Sequence, residues 1–250
     1  VLPKKIVVDI SGGLGNQLFQ LSAAVFLKNE GYEISIDSLY NDLNGKRKTE
    51  IKELINKFNI DYIYRNKLTV KVLSNKLCRI IYLSWLRRKT IFETKPFNIP
   101  IILTNNQKSR LFGYWQSIKL AVYIKEFLSH MISSPLINKV AIHVRRGDYL
   151  SVVHKQHGAL NGDYYLRALQ ILKKKQGSKE IVIFTDSPEI VQKEEWFLSL
   201  QKEKISFSEA LEPWETLIEM AKFSTIICSN STFSWSVSYT HLTLPTIYSV

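Results

Sequence analysis

The sequence predicts an α/β fold with two Rossmann-like lobes facing a cleft. Short β-branched runs alternate with helical patterns, which is typical of parallel-sheet folds. This series occurs twice, and Ser133-Ser134-Pro135 separate the two halves. We therefore predict an N-terminal lobe over residues 1–133 and a C-terminal lobe over residues 134–235. A length of 250 residues and a hydrophobic fraction of 45% suit two globular domains of ordinary size.

The first lobe opens with a strand–turn–helix–strand unit. Residues 6–10 (IVVDI) form the first predicted strand, residues 16–30 the helix and residues 32–37 (YEISID) the second strand. Residues 39–110 are basic, rich in asparagine and largely helical or irregular. An aromatic segment with a glycine turn follows at 111–117, and a helix at 118–132.

The second lobe repeats the alternation of strands and helices. Strands are predicted at 140–144, 181–185 and 224–228, and helices at 164–175, from Pro188 onward and at 213–221. Ligands bind at the carboxyl ends of the strands in such sheets. Polar residues that directly follow these strands are therefore candidates for a functional site.

A glycine-rich turn, Gly12-Gly13-Leu14-Gly15-Asn16-Gln17, joins the first strand to the first helix. Backbone N–H groups at a helix N-terminus favour an anion, so Gly13, Gly15 and Asn16 are candidate ligand-binding residues. The dinucleotide fingerprint G-x-G-x-x-G is incomplete because Leu18 replaces its third glycine, although Asp37 ends the second strand as that fingerprint requires. A structural turn, a phosphate or sugar site and an NAD site all stay open on this motif alone.

The segment His143-Val144-Arg145-Arg146-Gly147-Asp148-Tyr149 ends a buried apolar strand. Alternation along the strand places His143 and Arg145 on one face and Arg146 on the other. Two adjacent guanidinium groups at the end of a buried apolar strand are costly to leave without anionic partners. One can pair with Asp148, and the other can bind a diphosphate, for which arginine is well suited. A purely structural Arg–Asp ion pair is the alternative.

Two further polar clusters follow predicted strands. Asp186 can accept hydrogen bonds from a ribose or a base, or else Asp186 or Ser187 can cap the helix that begins at Pro188. Ser229 and Ser231 suit phosphate or ribose binding, or simple capping of the next helix. The sequence has no Asp-x-Asp motif, so a diphosphate would be neutralised by arginine and backbone amides. We expect no metal and no cofactor.

The net charge of +12 favours an anionic partner. Part of this positive charge lies in a basic amphipathic stretch, in which cationic residues alternate with Leu, Ile, Tyr and Trp85. The cationic residues are Lys67, Lys71, Lys76, Arg79, Arg87, Arg88 and Lys89. A solvated helical face and a peripheral contact with an anionic membrane are both open for this stretch. No nucleic-acid-binding signature is visible.

The remaining composition argues for a cytoplasmic protein. Cys78 and Cys228 lack metal-ligand spacing and are expected to be core thiols. No secretory signal and no apolar run long enough to span a membrane is visible. We therefore expect a cytoplasmic location, with any membrane contact at the inner face.

In their order along the chain, these segments resemble glycosyltransferase family 11, the bacterial-type α-1,2-fucosyltransferases. The matching motifs are GGLGNQ-F-Q at 12–20, GY-QS at 113–117, H-x-R-R-G-D-Y at 143–149, DYY at 163–165, F-[ST]-D-[SD] at 184–187 and SNS-FSW at 229–235. The similarity covers about residues 6–235, and the pair formed by H-x-R-R-G-D-Y and SNS-FSW is highly specific.

The resemblance implies a GT-B architecture and an inverting, metal-independent transfer of L-fucose from GDP-fucose to O2 of a galactoside, in glycan or surface-polysaccharide biosynthesis. It implies that Arg145 grips the diphosphate, that His143 lies near the nucleotide and that Asn16 faces the donor. Asp186 and Ser231 fall where guanosine or phosphate contacts are expected. A galactose-containing oligosaccharide is the expected acceptor, and a lipid-linked form would fit the basic stretch.

Three points stay open from the sequence. The general base is not identified, and Asp148, His154 and His157 are candidates by residue type only. Residues 236–250 match nothing expected after SNS-FSW, so we predict a truncated C-terminal lobe with an unrelated tail. Two other classes of function remain, a non-catalytic basic module that binds sugar or a membrane surface and an NAD-dependent Rossmann enzyme.

Overall fold

The computed structural model describes residues 4–44, 48–93, 109–129, 131–132, 136–147, 158–210 and 212–239. The chain divides into two compact units, Val1–Phe127 and Leu128–Val250. The described strands of each unit form one parallel sheet. Parallel strands are covered on both faces, which explains why the strand sequences are nearly continuous apolar runs.

The first unit contains a five-stranded sheet with the order β3-β2-β1-β5-β4. Its elements are β1 (Lys5–Asp9), α1 (Leu14–Asn29), β2 (Glu33–Asp37), α2 (Leu39–Asn44), α3 (Lys52–Lys57), β3 (Asp61–Tyr62), α4 (Lys67–Ser74), α5 (Lys76–Arg88), β4 (Thr90–Phe92), β5 (Arg110–Phe112) and α6 (Ile118–Ser129), whose last residues belong to the second unit. The central strand β1 buries Ile6 and Val8, so the Gly-rich turn that follows it starts from the middle of the sheet.

The second unit contains a four-stranded sheet with the order β8-β7-β6-β9. Its elements are β6 (Ile137–Val144), α7 (Gly162–Gln176), β7 (Ile181–Thr185), α8 (Pro188–Val191), α9 (Glu195–Leu198), β8 (Ile205–Phe207), α10 (Pro213–Met220), β9 (Phe223–Ile227) and α11 (Thr232–Ser238). The core of this unit is formed by β6, β7, α7 and α9 through Ile142, Ile183, Tyr165 and Trp196.

Local sequence signals set the limits of α7. The side chain of Asn161 accepts a hydrogen bond from the backbone N–H of Tyr164 and so caps the N-terminus of the helix. Gly177 ends the helix at φ +76°, a conformation that favours glycine. The helix therefore presents the aromatic pair Tyr164 and Tyr165 at a fixed position on the sheet.

The prediction of an α/β fold with two Rossmann-like parallel sheets is confirmed. The structure adds β3, β4, β8 and α9, which were not predicted because elements of two to four residues carry no readable periodicity. The prediction that both cysteines are core thiols is wrong for Cys78, which is exposed on α5. The cleft between the lobes and the domain limits near residue 133 stay predictions.

The C-terminal segment continues the fold as far as the structure describes it. Helix α11 extends to Ser238, and Ser236, Val237 and Tyr239 are buried, so residues 236–239 pack as part of the second unit. Residues 240–250 of the predicted tail lie outside the described residues. Within the part of the chain that the structure describes, no helix has the length and apolar character needed to cross a membrane.

Candidate functional site

The predicted site residues of the second unit gather at the carboxyl end of β6. Strand β6 pairs with β7 so that Val144 lies opposite Thr185, and the segments that follow the two strands therefore run side by side. This register brings the His143–Gly147 segment to Asp186. It also explains why a carboxylate 40 residues away in the sequence becomes the partner of this loop.

Asp186 organises the loop that follows β6. One carboxylate oxygen accepts hydrogen bonds from the backbone N–H groups of Arg146 and Gly147, at 3.0 and 3.2 Å. The other oxygen pairs with the Arg145 guanidinium at 3.1 Å. A Cβ atom on Gly147 would lie 2.5 Å from this carboxylate, so glycine permits the close approach. Of the two residues considered as caps, Ser187 is the N-cap residue of α8, but no side-chain hydrogen bond caps this helix.

The two arginines have different surroundings. The Arg145 side chain is partly exposed, at 24%, whereas that of Arg146 is 3% exposed and forms a two-pronged ion pair with Glu194. Glu194 also accepts a hydrogen bond from the indole of Trp196. Arg146 is therefore a structural residue, and Arg145 is the one accessible to a ligand. Asp148, the predicted partner, lies outside the described residues.

His143 is buried beside the serine cluster that follows β9. Its Nδ1 atom shares a hydrogen bond of 2.8 Å with Oγ of Ser229, and its ring lies against Phe233 with centroids 5.3 Å apart. Burial, assisted by the charge of Arg145, lowers the pKa of His143 to about 3. The imidazole is consequently neutral at pH 7 and serves as a hydrogen-bonding group.

The serines after β9 form a capping cluster. Ser231 is the N-cap of α11 and accepts a hydrogen bond from the backbone N–H of Phe233. The hydroxyl of Ser234 lies 3.3 Å from that of Ser229. Nearby, the hydroxyl of Tyr164 donates to the carbonyl of Cys228 at 2.8 Å, which ties the DYY motif to the end of β9. The capping interpretation of Ser231 is confirmed, and ligand contacts of Ser229 and Ser231 stay predictions.

The Gly-rich turn of the first unit is held by side-chain amides. The backbone N–H of Gly12 donates to Asn41 at 3.0 Å, and that of Ser11 donates to Gln20 at 3.0 Å. Gly12, at φ +81°, is the residue that needs glycine. Gly13 is the N-cap of α1 in an extended conformation and offers no side-chain cap. The turn thus presents the first backbone amides of a 16-residue helix without a side-chain cap.

Asn16 is connected to the GYWQS segment. Its Oδ1 atom accepts a hydrogen bond of 3.0 Å from Gln116, and Gln20 donates to the carbonyl of Gly113 at 2.9 Å. Trp115 in the same segment has φ +54° although it is almost fully buried, a strained conformation for a bulky residue. The structure thus brings together two motifs about 100 residues apart.

A buried charge cluster lies where β1 and β2 end. Arg110 pairs with Asp9 and Asp37 together, and Arg65 also pairs with Asp37. Asp37 also accepts a hydrogen bond from the backbone N–H of Leu39, at 2.9 Å. Because Asp37 is fully buried and both of its oxygens are engaged, it is not placed to bind a ribose, which argues against the NAD interpretation.

Several of these positions had no local signal in the sequence. Asp9 lies between two apolar residues, whereas Glu194 lies between two charged ones. For both, as for Arg110, only the folded structure reveals the partner. The candidate bases Asp148, His154 and His157 lie outside the described residues. Among the residues that the structure describes, no group of three or more His, Cys, Asp or Glu side chains is arranged to hold a metal ion.

The second unit also has a cavity of about 330 Å³, whose lining includes neither His143 nor Arg145. It is lined by Ile181, where β7 begins, by Val140, the partner of Ile181 in β6, and by the last turns of α7. This is the amino end of the sheet, opposite to the edge that carries His143 and Arg145. We therefore do not assign the ligand site to this cavity, since ligands of parallel sheets bind at the carboxyl ends of the strands.

The sequence matches the model of a known protein family over almost its whole length. The sequence model of glycosyl transferase family 11 matches residues 4–244. An alpha-1,2-colitosyltransferase of Escherichia coli is 27% identical over 92% of this chain and 85% of its own length. The O-antigen biosynthesis glycosyltransferase WbnK of Escherichia coli is 27% identical over 90% of this chain and 87% of its own length.

Two solved structures are similar at low identity. A crystal structure of POFUT1 in complex with GDP matches with a TM-score of 0.49 and 13% identity, over 96% of this chain and 95% of that one. A second crystal form of POFUT1 with GDP matches with a TM-score of 0.44 and 13% identity, over 95% of each chain.

Proposed function

The chain belongs to glycosyl transferase family 11, and we propose that it transfers L-fucose from GDP-fucose to O2 of a galactoside, with inversion and without a metal. The partly exposed guanidinium of Arg145, at the carboxyl end of β6, carries this proposal. Asp186 fixes its position, and arginine suits a diphosphate because of its permanent charge and planar donors. The relatives' names, a 1,2-linked sugar transfer and O-antigen biosynthesis, support a role in surface-polysaccharide assembly.

In the proposed reaction, the 2-oxygen of the acceptor forms a bond to the anomeric carbon of fucose. The bond from that carbon to the β-phosphate oxygen breaks, and its electron pair leaves with GDP. The proton of the acceptor hydroxyl passes to a base or to solvent. Arg145 would offset the negative charge that grows on the β-phosphate. His143, neutral at pH 7, would offer a hydrogen bond near the nucleotide rather than a charge.

Calorimetry with GDP and GDP-fucose in the presence of EDTA, beside UDP-sugars and NAD, tests the donor site. We expect binding of the guanosine ligands alone. Arg145→Ala should reduce turnover on the order of 10²–10³-fold, as loss of a preorganised charge-stabilising donor does. Arg167→Ala, which removes an exposed arginine from α7, is the matched control and should keep normal turnover. Unchanged kcat in Arg145→Ala would refute the proposal.

A colitosyl donor is the second candidate, because one relative is named a colitosyltransferase. Colitose is fucose without its 3-hydroxyl group, so the two donors present the same diphosphate to Arg145. Parallel assays with the two guanosine diphosphate sugars and a β-galactoside acceptor decide between them. Binding of both donors with no transfer and no donor hydrolysis would favour a non-catalytic module instead.

A further inference from the structure

Helices α4 and α5 form a pair with two apolar faces. The inner face, with Leu73, Leu86, Tyr82 and Leu83, packs against Leu39 of α2. A second set of apolar side chains points to solvent: Tyr64, Leu68, Val72, Leu77, Ile80, Ile81 and Trp85. Leu77, Ile81 and Trp85 are four residues apart in α5, so they share one helix face, and Leu77 and Ile81 are 66% and 63% exposed.

This outer face is also strongly basic. Residues 62–92 contain eight Lys and Arg and no Asp or Glu. Arg65 belongs to the buried charge cluster, and Arg79 is half-buried, but six cations are exposed: Lys67, Lys71, Lys76, Arg87, Arg88 and Lys89. The ammonium group of Lys89 lies 4.5 Å from the ring centroid of Trp85, so charge and aromatic surface are intermixed.

We propose that the outer face of α4 and α5 binds a membrane surface that carries anionic phospholipids. An exposed apolar patch rimmed by cations combines the two interactions that hold an interfacial helix, burial at the acyl boundary and attraction to anionic headgroups. Trp85 is suited to this boundary because its ring has an apolar body and a polar N–H group. This inference goes beyond the proposed function and does not depend on it.

The charge distribution argues against a second copy of the chain as the occupant. A symmetric dimer through this face would bring six exposed cations against six like charges, and no acidic residue between 62 and 92 is available to compensate them. Exposed aliphatic side chains along both helices likewise favour lipid over nucleic acid, which would contact phosphates through polar groups.

Co-sedimentation of the full chain with vesicles tests the proposal. We expect binding to phosphatidylcholine vesicles that contain phosphatidylglycerol, little binding to phosphatidylcholine alone, and weaker binding as salt is raised. Arg87→Gln/Arg88→Gln should reduce the partition coefficient about thirtyfold, since each cation near an anionic surface contributes a factor of about five. Leu77→Ser/Ile81→Ser should reduce it as well, because it removes apolar area without changing the charge.

The control is Lys174→Gln/Lys175→Gln, which removes the same charge from α7 in the other unit. It should bind vesicles as the wild type does. Equal losses in both charge variants would mean that only net charge matters and would overturn the proposal. Sedimentation velocity tests whether the chain dimerises through this face. A dimer that Leu77→Ser/Ile81→Ser dissociates, with no vesicle binding by any form of the protein, would also overturn the proposal. Circular dichroism confirms that each variant is folded.

Discussion

Asp9 and Asp37 lie opposite each other in the register of β1 and β2, and the guanidinium of Arg110 hydrogen-bonds to both carboxylates. Two buried carboxylates at neighbouring positions repel each other unless a cation lies between them. Asp37 has two arginine partners and Asp9 has one. Burial raises the pKa of Asp9 to about 7, whereas hydrogen bonds from Arg65 and the charge of Arg110 overcome burial and lower the pKa of Asp37.

The first prediction is that Asp37→Asn destabilises the protein more than Asp9→Asn. Loss of Asp37 leaves Arg65 with no carboxylate partner and Arg110 with only one, so we expect a loss of about 3–5 kcal/mol in the free energy of unfolding. Asp9→Asn should lose less than half as much, because its carboxyl is already partly protonated at pH 7. Urea denaturation of both variants at pH 7 measures the difference. Equal losses of unfolding free energy in the two variants would contradict the finding that Asp37 has two arginine partners and Asp9 has one.

The pH dependence of Asp9→Asn provides a second test of the same cluster. A carboxyl whose pKa is raised in the folded state stabilises the protein below its ordinary pKa of 3.8, and this contribution is lost as the pH rises towards 7. Relative to Asp9→Asn, the wild type should therefore lose stability between about pH 4 and pH 7. Melting temperatures of the two proteins across this range measure the effect, and parallel curves would argue against a raised pKa.

His143 should remain neutral far below its ordinary pKa. A histidine whose pKa is lowered stabilises the folded state above pH 6.5, and this contribution is lost as the pH falls towards 3. Nitrogen NMR of histidine-labelled protein should show an uncharged ring at pH 5, with the signal assigned through His143→Gln. The acid limb of the rate profile should then not come from this residue. Protonation near pH 6.5 would contradict the burial seen here.

Glu194→Gln should destabilise the second unit. The variant keeps the side-chain volume but leaves Arg146, which is almost fully buried, without its carboxylate, so we expect a loss of about 3 kcal/mol. Trp196 loses a charged hydrogen-bond acceptor at the same time. Glu209→Gln, at an exposed position, is the control and should change the free energy of unfolding by less than about 0.5 kcal/mol.

Gly147→Ala should weaken GDP binding with little effect on stability. The added methyl group must displace the Asp186 carboxylate, which holds the loop and orients Arg145. We expect a loss on the order of tenfold in affinity, or about 1.4 kcal/mol. Calorimetry of the variant beside Asp186→Asn checks the cause, because the second substitution keeps the shape and removes the charge. Normal affinity in both variants would mean that the loop geometry does not set the donor site.

Sequence patterns predicted where the strands lie but not which polar residues pair with each other. The strands ending at Asp9, Asp37, Val144 and Thr185 were predictable because apolar β-branched runs are bounded by polar or glycine turns. The pairs Asp9–Arg110 and Asn16–Gln116 are separated by 101 and 100 residues, and they meet only when distant strands and turns align. The same holds for Arg146 and Glu194, so the strand pattern alone could not tell which of the two adjacent arginines is structural, and only the family resemblance pointed to Arg145 as the ligand-binding one.

At the proposed donor site, the ion pair between Arg145 and Asp186 would also affect which anions can bind. Before a ligand arrives, the guanidinium already has an internal counter-ion, and a single inorganic phosphate or chloride gains little by displacing it. A diphosphate brings more charge and several oxygens, while Asp186 can keep its two backbone hydrogen bonds during the exchange. The resting ion pair would thus favour a diphosphate over chloride or a single inorganic phosphate at the proposed donor site.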